Sequence, residues 1–189
     1  MKKVLLKNGF LVTPRRVIRS DIALRNGRIE FISGQTAFDE VMDISGKYVV
    51  PGFVDIHFHG YNLFEFTIGL YDPKTGTYDS SRSAYEQSFD MLSRKLAEFG
   101  VTGFYLSTWA APIETLKLCY SRLADYLGKA NDSTAGARLL GGVLEGTFIN
   151  PNMAGAMNPD SVFEPAPLVF ERIEDRGTIK PVSYTHLTL

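Results

Sequence analysis

Two histidines, His57 and His59, end the apolar segment PGFVDIHFHG at positions 51–60. Side chains of a strand alternate between its two faces, so both imidazoles are expected on the same face. Neutral imidazole is the commonest side-chain metal ligand, and two of them at one strand end can bind a single divalent cation. The segment therefore predicts a metal site. Two hydrogen-bonded, inert histidines at a strand end are the alternative.

A third candidate ligand follows another apolar run. Glu145 comes directly after a strand predicted over residues 138–144. If both strands belong to one parallel barrel, their carboxyl ends meet at the same rim, which would bring Glu145 to His57 and His59. Two imidazoles and a carboxylate suit Zn²⁺, and Fe or another first-row metal is also compatible. A surface carboxylate at a strand end is the alternative.

The elements that would position these ligands alternate between strand and helix from residue 51 onward. Strands are predicted over 53–58, 101–106 and 138–144, and helices over 83–99 and 112–127. This alternation predicts an α/β fold with parallel strands, either doubly wound or a (β/α) barrel. The segment from Tyr61 to Arg82 is rich in Asp, Gly, Ser and Thr, and we interpret it as a polar loop that borders a substrate pocket.

Three domain assignments follow. Short strands over 4–6, 10–13, 17–24, 29–32 and 48–50 predict a small β-sandwich segment at residues 1–50. Residues 51–180 are expected to form a partial barrel, the catalytic domain. A complete (β/α)8 TIM barrel needs about 250 residues, so the barrel is expected to be incomplete in this chain. Residues 181–189 resemble a non-native tail, and His186 within it is not offered as a ligand.

Composition excludes several classes of protein. The formal net charge is −1, and the sequence has no basic block, so binding to nucleic acid or to an anionic membrane surface is not indicated. No apolar stretch is long enough to span a bilayer. Cys119 is the single cysteine, which excludes an internal disulfide framework and favours a cytoplasmic location.

The motifs carry a resemblance to a known family. PGFVDIHFHG after a β-rich flank resembles the amidohydrolase superfamily. Within it, LEGTFINP at 144–151 and GAMNP at 155–159 are similar to N-acetylglucosamine-6-phosphate deacetylases. The resemblance covers nearly all of residues 3–180. It implies a (β/α)8 barrel with a small β-sandwich, a divalent metal with Glu145 among its ligands, and a homodimer. The remaining histidine ligands and the catalytic aspartate of the family come from later strands, so no catalytic residue is assigned here.

The implied activity is removal of the acetyl group from N-acetylglucosamine 6-phosphate, or from a close N-acetyl-amino-sugar phosphate, to give acetate and the amino sugar phosphate. This chain alone is expected to be inactive. Asn158, within the second motif, and Thr108, at the end of the second strand, are the candidate substrate-binding residues. Ala154 and Met157 stand where the family has Lys and His. Met157 cannot donate a hydrogen bond to an acetamide oxygen.

Two alternatives remain open. One is a cyclic amidohydrolase of the dihydroorotase type, which would share the histidine pair. The modified lysine typical of those enzymes is not apparent near Glu145. The other is a non-catalytic binding domain derived from a barrel, which the replacements at Ala154 and Met157 would allow.

Overall fold

A computed structural model describes residues 2–30, 32, 37–129, 136–174 and 176–183. The chain divides into two compact units, Met1–Pro51 and Gly52–Leu189. The architecture is mixed α/β, as the sequence predicted. None of the described helices is long and apolar enough to cross a membrane.

The first unit contains one five-stranded sheet in the order β3-β2-β1-β4, with β5 also paired to β1. Its strands are β1 Lys3–Val12, β2 Val17–Arg25, β3 Arg28–Glu30, β4 Glu40–Asp43 and β5 Tyr48–Val49. The strands predicted over 4–6 and 10–13 are one continuous strand, with a register shift between Leu6 and Gly9. Asn8 has φ 65° within this shift. A tight turn at Asn26 and Gly27 joins β2 to β3, and both residues have positive φ, as a type I′ turn requires.

The second unit is built on four parallel strands in the order β13-β12-β11-β6. They are β6 Phe53–Phe58, β11 Val101–Ser107, β12 Arg138–Glu145 and β13 Ile179–Ser183. Helix α1 Arg82–Glu98 lies between β6 and β11 in the chain, and α2 Ile113–Lys129 lies between β11 and β12. Helix α3 Pro167–Ile173 precedes β13. The three predicted strands and two predicted helices of this unit are confirmed to within two residues.

Strand β13 was not predicted. Its last three residues fall in the segment 181–189 that the sequence marked as a tail. Val182 pairs with Leu144, and Ser183 pairs with Glu145. His186 lies outside the described residues.

The core of the second unit lies between the sheet and helices α1 and α2. Helix α1 packs against α2 and β11, and α2 packs against β12. The Oγ of Ser81 accepts the Ala84 N–H over 3.3 Å and caps α1, and Gly100, at φ 78°, follows its end. The large side chains that are fully buried here include Phe89, Leu92, Phe104, Leu106, Leu116, Leu123 and Leu144.

The segment from Tyr61 to Arg82 is not a loop, contrary to the sequence interpretation. It contributes to an antiparallel meander of β7 Gly60–Tyr61, β8 Phe64–Glu65, β9 Gly69–Asp72 and β10 Thr77–Asp79. Phe64 and Phe66 are 3% and 0% exposed. Their rings contact Tyr85 and Phe89 of α1 edge-on or tilted. The meander is therefore anchored in the core by aromatic burial, despite its polar turns.

Strand β6 differs from the buried strand that its apolar run indicated. Phe53, Val54 and Ile56 are 64%, 53% and 67% exposed. A strand with apolar residues on both faces is typical of a sheet covered on both sides. Among the described residues, β6 is the edge of the parallel sheet, which explains why these side chains are not covered.

Candidate metal centre

The side chains of His57, His59 and Glu145 converge at the carboxyl ends of β6 and β12. The Glu145 Oε2 lies 2.8 Å from His57 Nε2 and 2.9 Å from His59 Nε2. The two Nε2 atoms are 3.2 Å apart. Strand β11 lies between β6 and β12, so the carboxylate reaches across one intervening strand end. The three residues that the sequence predicted as ligands thus lie together.

Local backbone contacts orient the two histidines. The Asp55 carboxylate accepts the His57 N–H over 3.1 Å, and the carbonyl of His59 accepts the Phe66 N–H over 2.8 Å. The rings meet edge to face with centroids 5.0 Å apart. Residue Phe58 points to the opposite side, where it packs against Phe104. The alternation of a strand therefore gives the two imidazoles a shared face, as the sequence predicted.

The backbone after Glu145 is strained. Gly146 and Thr147 have φ 82° and 58°, and positive φ is a genuine outlier for a β-branched residue such as threonine. A Cβ at Gly146 would lie 2.4 Å from the Met157 Sδ and 3.0 Å from the Ala110 nitrogen. Thr147 is fully buried. Strain of this kind is often found at functional sites, where the surrounding structure holds it in place.

The three ligand atoms fit a small divalent metal. They lie within 4.8 Å of one another. Tetrahedral ligands at about 2.1 Å from zinc are about 3.4 Å apart. The observed separations of 2.8–3.2 Å would therefore have to increase only slightly to admit the ion. Among the described residues, no hydrogen bond satisfies the buried His59 Nδ1, and the buried Glu145 Oε2 has only its short contacts with the two Nε2 atoms, neither of which has hydrogen-bond geometry. Two imidazoles and one carboxylate oxygen that converge in this way form a ligand set that a cation would complete.

Next to His59, a buried hydrogen-bond network joins the meander to the segment that follows β11. The Glu65 carboxylate accepts the N–H groups of Thr67 and Ile68 over 3.0 and 3.2 Å, and the Thr67 hydroxyl over 3.1 Å. The Thr67 oxygen accepts the Trp109 N–H over 3.3 Å. Burial raises the pKa of the Glu65 carboxyl, and the hydrogen bonds from Thr67 oppose that rise. Sequence analysis missed Glu65 and Thr67 because it interpreted their segment as a loop.

The two predicted substrate-binding residues, Thr108 and Asn158, form hydrogen bonds within the chain. Thr108 is 0% exposed. Its hydroxyl lies 3.2 Å from the Tyr120 hydroxyl, and its N–H donates to the Val143 carbonyl over 3.1 Å. These contacts tie Thr108 to the core beneath the strand ends. The Asn158 side chain accepts the Asp160 N–H over 3.0 Å and caps a 3₁₀ turn. Asn158 itself is exposed.

Known proteins resemble the chain in sequence. It is 30% identical over 142 residues to N-acetylglucosamine-6-phosphate deacetylase of Caenorhabditis elegans, covering 72% of this chain and 31% of the relative. It is 27% identical over 160 residues to the deacetylase of the same name from Bacillus subtilis, covering 82% of this chain and 37% of the relative. The chain thus spans about a third of the length of these relatives. No family model matches the sequence.

A solved structure resembles the chain in fold. A mutant N-acetyl-D-glucosamine-6-phosphate deacetylase from Mycobacterium smegmatis, in complex with N-acetyl-D-glucosamine-6-phosphate, superposes with a TM-score of 0.68 at 21% identity. The match covers 96% of this chain and 43% of that one. The comparisons confirm the resemblance seen in the motifs around Glu145 and Asn158: within the amidohydrolase superfamily, the chain is N-acetylglucosamine-6-phosphate deacetylase-like.

Proposed function

We propose that this protein is a metal-dependent amidohydrolase that removes the acetyl group from N-acetylglucosamine 6-phosphate or a close N-acetyl-amino-sugar phosphate. The convergence of His57, His59 and Glu145 within 2.8–3.2 Å carries the proposal. The relatives named for this deacetylase activity support the substrate class. The products would be acetate and the amino sugar phosphate.

The metal in this proposal is zinc. A bound divalent cation polarises an amide carbonyl and lowers the pKa of water. His57 and His59 would each supply an Nε2 lone pair, and Glu145 would supply a negatively charged oxygen. The buried setting of Glu145 Oε2 strengthens its attraction for a cation, because water screens it less. No described residue is assigned as the proton carrier.

The fold proposal follows from the order of the strands. Four parallel strands with intervening helices are what the first part of a (β/α)8 barrel would show. In this proposal residues 51–180 belong to the barrel and residues 1–50 belong to a β-sandwich segment. Residues 181–189 remain the proposed non-native tail, of which 181–183 extend β13 alongside β12. Asn158 and Thr108 remain the proposed substrate-binding residues. A homodimer and a cytoplasmic location complete the proposal, and the single, buried thiol of Cys119 is compatible with the latter.

The test combines metal analysis with acetate release in the full-length protein. The variants His57→Ala, His59→Ala and Glu145→Gln should each lower zinc affinity by more than about 100-fold, since even the loss of an outer partner of a ligand costs 10–100-fold. Acetate release should fall with it. Glu114→Gln is the matched control, because Glu114 is a 79% exposed carboxylate on α2 and should leave both quantities unchanged. Full metal content and activity in the three variants would refute the ligand assignment.

A further inference from the structure

A cavity of about 300 Å³ opens beside His59. Its wall is made by the meander, and the residues important here are Tyr61, Asn62, Glu65, Tyr71 and Tyr78. This volume lies at the lower end of the range for small-molecule sites and exceeds what an acetyl methyl group needs. Because His59 lines both the cavity and the metal centre, a molecule whose amide reaches the metal would place its neighbouring group here.

The charge of the cavity selects an uncharged group. None of the described residues that line it is Lys or Arg. Glu65 is the one acidic residue among the described residues that line it. The nearby ammonium of Lys95 on α1 is not among the residues that line the cavity, and it is paired with Glu98 at 2.7 Å. A phosphate group would meet a carboxylate without a compensating cation, so the phosphate end of a substrate is not expected in this cavity.

The aromatic wall suits a saturated ring with polar substituents. Tyr71 and Tyr78 are cross-strand partners on β9 and β10, and their ring centroids lie 5.1 Å apart. Tyr78 is 48% exposed and Tyr61 is 45% exposed, although Phe64 beneath them is buried. Rigid, amphipathic tyrosine rings of this kind provide contact area at low entropic cost. A pyranose offers an apolar C–H face for the rings and hydroxyl groups for the phenols and the Asn62 amide.

We propose that this cavity is the subsite for the uncharged pyranose ring of the substrate, with Tyr71 and Tyr78 as its specificity-determining wall. This inference rests on the proposed function, because the pyranose in the cavity is the ring whose acetamide group reaches the metal centre beside His59. The departures at Ala154 and Met157 from the family motif agree with a sugar held by contacts that the meander supplies.

Saturation-transfer NMR with N-acetylglucosamine, which lacks the phosphate, tests the proposal on the full-length protein with its metal removed. Ring protons of one pyranose face should receive more saturation than the acetyl methyl. Tyr71→Ala and Tyr78→Ala should each weaken binding about fivefold, the effect expected for one aromatic contact. Tyr78→Phe, which keeps the ring and loses only the phenol hydroxyl, should weaken binding less than Tyr78→Ala, which separates loss of the ring from loss of the hydroxyl. Tyr48→Ala removes a 67% exposed tyrosine of the first unit and should have no effect.

Two results would overturn the subsite. One is the absence of N-acetylglucosamine binding to the wild-type protein, and the other is unchanged binding in both alanine variants. Acetate release is measured separately on the metal-loaded protein. Sugar binding through Tyr71 and Tyr78 without acetate release would contradict the hydrolase and leave the subsite standing. Acetate release with a KM that neither substitution alters would contradict the subsite alone.

Discussion

The Thr67 hydroxyl accepts a hydrogen bond of 3.3 Å from the backbone N–H of Trp109. This contact joins the meander to the segment that follows β11. One residue earlier, the Phe66 N–H donates to the His59 carbonyl over 2.8 Å. The phenol of Tyr85 on α1 donates to the Phe66 carbonyl, also over 2.8 Å. The placement of His59 therefore depends on a folded meander, which is itself held by a helix and by a neighbouring strand end.

The first prediction concerns the Thr67 hydroxyl. Thr67→Val removes the acceptor for the Trp109 N–H and one donor to Glu65, while the side chain keeps its β-branched shape and a similar size. Thr67 is 1% exposed, so water cannot readily replace these partners. We expect the free energy of unfolding to fall by about 1–3 kcal/mol, the cost of unpaired buried polar groups. Urea denaturation measures it.

Thr67→Ser is the control for that substitution. Serine retains the hydroxyl and loses one methyl group, which should cost about 1 kcal/mol. A valine variant as stable as the wild type, beside a less stable serine variant, would show that packing rather than hydrogen bonding holds the meander.

The grouping of His57, His59 and Glu145 was accessible to sequence reasoning because it follows from general rules. Period-two alternation places His57 and His59 on one face, and parallel strands direct their carboxyl ends to one edge. Neither rule depends on the conformation of the segments between the strands. For the same reason the bounds of α1 and α2 were predicted closely, since apolar residues recur with helical spacing over 17 residues in each.

The meander was not accessible in that way. Its strands are two to four residues long, too short to show alternation. Its turns supply the Gly and Asp content typical of a loop. Strand β4, Glu40–Asp43, was missed because it is only four residues long and pairs with a strand more than thirty residues earlier in the chain. The exposure of β6 depends on which strands lie beside it, and local sequence does not encode this.

The second prediction concerns pH. Asp125 on α2 accepts a hydrogen bond from Arg176 over 2.7 Å, and Arg82 lies 3.5 Å away. The Arg176 hydrogen bond, with the nearby guanidinium charges, holds the pKa of this carboxyl below its ordinary 3.8. A carboxyl whose pKa is lower in the folded than in the unfolded state stabilises the fold above pH 3.8, and this contribution is lost as the pH falls through the folded-state pKa.

Asp125→Asn isolates the contribution. At neutral pH the variant should be less stable than the wild type by less than about 1 kcal/mol, because the site is partly exposed and screened. The difference should shrink below pH 3.8 and approach zero once the carboxyl is protonated. Unfolding free energies from urea titrations at several pH values provide the comparison. A difference that persists unchanged in acid would mean that the ion pairs are not its source.

The third prediction concerns the single thiol. Cys119 is 0% exposed, and its Sγ donates to the Leu116 carbonyl over 3.1 Å. Burial raises the pKa of the thiol well above its ordinary value, and the thiolate is the reactive form. Alkylation by iodoacetamide should therefore be at least about 1000-fold slower in the native protein than in urea, since reaction requires unfolding. Rapid modification of the native protein, followed by mass spectrometry, would contradict the buried placement.

The fourth prediction concerns the turn after Glu145. Gly146→Ala combines two costs, a left-handed backbone at φ 82° and a Cβ that would meet the Met157 Sδ and the Ala110 nitrogen. Gly76→Ala carries the first cost alone, because Gly76 has φ 70° and no atom lies within 4 Å of the added Cβ. The control should lose about 1 kcal/mol of stability, and Gly146→Ala should lose more.

The Cβ added in Gly146→Ala lies one residue from Glu145. A backbone shift that separated this Cβ from Met157 and Ala110 would move the Glu145 carboxylate relative to His57 and His59. We therefore expect zinc affinity of the full-length protein to fall in Gly146→Ala and to stay at the wild-type value in Gly76→Ala, both measured by competition with a chromogenic chelator. Equal losses of stability in the two variants, with zinc affinity intact, would show that Met157 yields to the methyl group. The position of Glu145 would then not depend on the tight packing of Met157 over Gly146.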